Sequence, residues 1–104
     1  MERDQIHLDL AAAMQEERLA DEAFVPFASG CAAADAQLLW LIQQHGPGPR
    51  TDVGIRDIIL AAYEARRIAH HQAWPHRQRL KRAEDWVAAL RKRLRELKLE
   101  DDAP

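Results

Sequence analysis

The chain has 104 residues, 47% hydrophobic and 31% charged, with a formal net charge of −2 at pH 7. This length fits one domain with a modest core, and the ordinary apolar share excludes a disordered polyampholyte. The single Cys31 excludes an internal disulfide framework; no apolar run approaches the roughly 20 residues of a membrane span and MERDQIHLDL lacks the basic-then-apolar pattern of a secretion signal, so a soluble, cytoplasmic protein is expected.

The apolar residues are mostly Ala and Leu, which favour helix over strand. The first helix is predicted over 4–24, with the Asp4 carboxylate capping free backbone N–H groups and Pro26 ending the pattern. Ile6, Leu10, Ala13, Ala20 and Phe24 share one face, and Glu17 interrupts it.

After a turn at Ser29-Gly30, a second helix is predicted over 31–45, stopped by Gly46-Pro47-Gly48-Pro49. It is apolar nearly all round, with a narrow polar strip at Gln37 and Gln44, so it needs cover on several sides and is expected to be central.

The third helix, 53–73, follows a cap at Thr51 or Asp52 and carries the stripe Ile55, Ile58, Ile59, Ala62, Ala65, Ala69 and Ala73, with Arg66 inside it. Trp74-Pro75 predicts a corner, because proline lacks a donor and pushes its predecessor out of helical geometry.

The fourth helix, 76–99, has Leu80, Ala83, Val87, Leu90, Leu94 and Leu97 at alternating spacings of three and four, a heptad seam. The same register runs backwards through His76, Ala73, Ala69, Arg66, Ala62, Ile59 and Ile55. These elements predict an all-α fold, a compact four-helix bundle with an acidic tail over 100–104. The alternative joins the third and fourth helices into one long helix kinked at Trp74-Pro75.

Charge is split along the chain. Up to Glu64, eleven acids face four arginines, a net of −7; from Ala65 to Leu99, eleven bases face three acids, a net of +8. Such a chain neutralises its basic helix with its own acidic half, with an acidic partner or with nucleic acid. Arg77, Lys81, Arg91, Lys92 and Arg95 form a stripe away from the seam, a spacing suited to phosphates along a groove. Trp86, Val87, Leu90, Leu94 and Leu97 are the expected interface residues. An arginine inside an Ala/Ile stripe needs a carboxylate, so Arg66 is expected in a buried ion pair with Glu17 or Asp35.

Arg66 and His71 also stand at an R-x4-H spacing, which resembles the short active-site motif of the HEPN family of helical ribonucleases. That resemblance implies general acid–base cleavage of RNA, although Arg67 stands where the family usually has Asn, Asp or His. Residues five apart on a helix lie about 140° apart around the axis, so Arg66 and His70 are the better-aligned pair. His70, His71 and His76 have no helical metal-ligand spacing, and Cys31 reads as a small buried hydrophobe; no metal or cofactor is expected.

The resulting expectation is a non-enzymatic helical binding subunit whose basic C-terminal helix contacts nucleic-acid backbone within or beside a larger assembly. The alternative is a protein-only adaptor or homo-oligomerisation module built on the heptad seam and the apolar second helix. A HEPN-like ribonuclease is the remote alternative.

Overall fold

A computed structural model describes residues 1–46 and 52–102, with side chains to Glu100. It contains two helices, α1 (Glu2–His45) and α2 (Val53–Asp102). The all-α expectation holds at this level, but the four predicted helices are two: 4–24 and 31–45 belong to α1, and 53–73 and 76–99 belong to α2.

The break signals were real but outweighed. Pro26 and Pro75 lie inside their helices, and an interior proline costs about 3 kcal/mol. Against this, apolar surface removed from water contributes about 25 cal/mol per Å² along the whole seam, and the heptad stays in step across both prolines. Phe24, Phe27 and Cys31 continue it through Pro26; Ala73, His76 and Leu80 continue it through Pro75, all of them buried or half-buried.

The ends follow the local chemistry. Asp52 is the N-cap of α2: its Oδ1 accepts from Ile55 N–H at 3.0 Å, and its carbonyl accepts from Arg56 N–H at 3.0 Å. At the start of α1 the Met1 carbonyl accepts from Gln5 N–H, so Asp4 lies in the first turn rather than at the cap; there Glu2 and Asp4 still complement the helix dipole. Gly46, at φ +70°, closes α1 in the left-handed conformation that glycine adopts without strain. The Pro47-Gly48-Pro49 stop, Thr51 and residues 103–104 lie outside the described residues.

The chain forms two compact units. The first is Met1–Phe24 with His76–Pro104; the second is Val25–Pro75. In the first unit the two helix segments run antiparallel, and Ile6, Ala13, Ala20, Ala83 and Val87 are its buried core. In the second, Leu38 and Leu41 of α1 pack with Ile59 and Ala62 of α2, flanked by Ile42 and Ile55. Cys31 and Ala73 are also buried there. On each helix the core positions define a heptad in which Glu16 and Arg79 occupy position g, just before the seam, and Asp35 and His70 occupy position e.

Candidate interaction surfaces

The first unit pairs an acidic arm with a basic one. Arg79 donates from Nε and Nη2 to the two Glu16 carboxylate oxygens at 2.6 and 3.1 Å. Arg93 Nε donates to Glu2 Oε1 at 2.8 Å, and its Nη1 lies 3.4 Å from Glu96 and 3.6 Å from Glu100. The hydrogen bonds from Arg93 and Arg79 hold the Glu2 and Glu16 carboxyls below the usual carboxylate range. Sequence reasoning passed over Arg79 and Arg93; the signal was their place directly before the seam residues Leu80 and Leu94, where antiparallel helices exchange ion pairs.

Of the five cations expected to form the phosphate stripe, three are engaged. Arg77 lies over the Phe24 ring, 5.7 Å from its centroid, and Lys81 pairs with Asp85 at 3.1 Å. Arg91 Nη2 sits 4.0 Å from Met14 Sδ. Arg91 also borders a cleft of about 370 Å³ with Glu17, Arg18, Asp21 and Glu84. That lining mixes both signs and favours neither an anion nor a cation. Lys92 and Arg95 are exposed and have no carboxylate partner among the described residues.

The seam residues expected to meet a partner are largely occupied by the chain's own α1. Val87 is buried, Leu90, Leu94 and Leu97 are half-buried, and Trp86 stands beside the seam, exposed, against a shallow cleft with Arg79 and Arg82.

In the second unit Asp35 is the shared acceptor of two cross-helix contacts. Arg66 Nε donates to its Oδ1 at 2.7 Å, and His70 Nε2 lies 2.9 Å from the same oxygen. The His70 contact first, and the Arg66 contact second, hold the Asp35 carboxyl below its ordinary range. The pair is not buried as expected: the side chains are 48% and 45% exposed. Asp35 sits at position e, on the rim of the seam, which lets Arg66 reach outwards along its flexible stem. Glu17, the other expected partner, lies in the first unit. His71, the histidine of the ribonuclease-like spacing, is exposed, and His70 is the one that joins Arg66. Among the described residues no group of three or more His, Cys, Asp or Glu side chains could hold a metal ion.

The two units differ most in their content of charged residues. The first has thirteen acids and eleven bases; the second has four of each, a net charge of zero. Both units expose large apolar side chains, Leu8, Leu19, Trp86 and Leu99 in the first; in the second, Trp40 is 54% exposed, Ile58 53%, Leu60 56%, Ile68 42% and Trp74 55%, and Leu39 and Tyr63 are exposed too. The helix expected to be covered all round is thus covered on one side. Segment 25–42 contains a single charged residue, Asp35. Contrary to the sequence expectation, α1 is long and apolar enough, by length and composition, to cross a membrane, with an 18-residue window of mean hydropathy 1.3.

Comparison of the chain with protein-family models, with curated proteins and with solved structures finds no match.

Proposed function

We propose that the protein is a non-enzymatic helical interaction module, with the first unit charged and solvated and the second unit as the docking element. The carrying observation is the large apolar side chains exposed in a unit of zero net charge, Trp40, Ile58, Leu60, Ile68 and Trp74 among them. Exposed apolar patches of this kind mark association surfaces, and depletion of charge is the compositional sign of an interface core. A membrane is the less favoured occupant, because α2 carries Arg56, Asp57, Glu64, Arg66 and Arg67 within the same unit; at a helix centre a charged residue costs about 2.5–3.5 kcal/mol to insert.

A photo-crosslinking side chain at position 40, compared with one at position 92, tests this reading in the cell that makes the protein. Covalent adducts to polypeptide from position 40 are expected. No polypeptide adduct from position 40 overturns the reading.

A second reading keeps the phosphate-binding stripe. It is supported by Lys92 and Arg95, two exposed cations without a carboxylate partner among the described residues. Adducts to nucleic acid from position 92 would favour it.

A further inference from the structure

The uncharged side of the second unit has a defined shape. In the first unit four of the g positions carry Glu2, Glu16, Arg79 and Arg93, which pair across the two helices, and others carry Asp9, Ala23 and Trp86. In the second unit the g and c positions are bare of charge. On α2 the g and c positions are Gly54, Ile58, Ala61, Ala65, Ile68 and Gln72, spaced 4-3-4-3-4 and all exposed. On α1 the matching positions include Ala33, Gln37 and Trp40, also exposed. The Asp35–His70 contact lies on the e side, so in an antiparallel pair these residues face the other way. A helix with apolar residues at a and d alone makes a two-stranded seam; adding one flank widens its face to that of a bundle helix.

The α2 stripe reads the same in both directions: Ile58, two residues, Ala61, three residues, Ala65, two residues, Ile68. A two-fold axis across the helix near Tyr63 maps the stripe onto itself, setting Ile58 of one copy against Ile68 of the other and Ala61 against Ala65. Self-complementarity of this kind is what an isologous interface requires. The small central pair lets the backbones approach, and the isoleucines close the contact at both ends. A second copy brings the same zero net charge and is not repelled. Asp57 and Glu64 flank the stripe, and Glu64 is already held by Arg67.

We infer that the second unit docks on a second copy of this chain through the α2 stripe Ile58, Ala61, Ala65 and Ile68, with Trp40 at its edge, giving a four-helix bundle from two antiparallel hairpins. This inference rests on the interaction-module reading and narrows it to one occupant.

The test uses the full chain. Light scattering is expected to give twice the 11.9 kDa chain mass, and A61E or A65E to return it to one chain with helicity retained, since both alanines are exposed in the single chain. For an independent readout, C31A/A61C and C31A/A65C chains are mixed and oxidised. A disulfide-linked pair is expected between unlike chains, with none from a C31A/S29C chain, whose cysteine lies on the outer face of α1. A single-chain mass at all concentrations, or no 61–65 link, overturns the inference. If position 40 still crosslinks to polypeptide in the cell, the module reading survives that failure; if it does not, both fall.

Discussion

Glu16 and Arg79 face each other at equivalent g positions of antiparallel heptads, and both carboxylate oxygens are engaged by the one guanidinium. Fourteen residues away in the sequence of each helix the g positions are Gly30 and Ala65, exposed and uncharged. One repeat therefore serves two purposes along its length: it joins the two helix segments of the first unit with ion pairs, and presents an apolar flank in the second.

Acid should weaken the cross-helix contacts of both units, those of Glu2 and Glu16 in the first and that of Asp35 in the second. Glu16 and Glu2 titrate below the ordinary carboxylate value when folded. Their contribution is present above the unfolded value and is lost as pH falls through the lowered, folded one. Thermal unfolding followed by circular dichroism should show a midpoint that drops below about pH 4.3, the unfolded glutamate value, and Glu16→Gln should flatten that dependence.

Core and surface leucines on adjacent positions should separate cleanly. Leu38 is buried and Leu39 is mostly exposed. Leu38→Ala is expected to cost about 2–5 kcal/mol, and Leu39→Ala at most about 0.5 kcal/mol, by urea unfolding. Equal losses would contradict the assigned helix face.

How much of this was legible in the sequence differs by feature. The seam of α2 was readable from Ile55 to Leu97 in one unbroken 3-4 register, and Asp52 was readable as a cap. The helix count was not, because Pro26, Ser29-Gly30 and Pro75 are strong local break signals, while the register that carries each helix past them is a property of the whole repeat. The exposed flank was visible only as composition. Its meaning needed the partner helix, since Ile58 and Ile59 look equally buriable until one of them faces outwards.

The prolines supply a direct test of the two-helix chain. Within a continuous helix proline lacks one hydrogen bond, so Pro75→Ala should stabilise the chain by about 1–3 kcal/mol. At a corner between two helices the same change would be neutral or destabilising. Urea midpoints of the two proteins decide.

The phosphate reading has its own measurement. With Arg77, Lys81 and Arg91 engaged, Lys92 and Arg95 are the free cations of that stripe among the described residues. Lys92→Ala with Arg95→Ala is expected to leave retention on a mixed nucleic-acid column unchanged at moderate salt. A loss of retention would move the weight to nucleic acid.

The most direct measurement of the central claim is the environment of Trp40, read by fluorescence in a full chain with Trp74→Phe and Trp86→Phe. In the single chain this indole is more than half exposed. If two copies bury the flank, its emission is blue and resists acrylamide at micromolar concentration, and it reddens on dilution or with A65E. Red, freely quenched emission at every concentration would contradict the account.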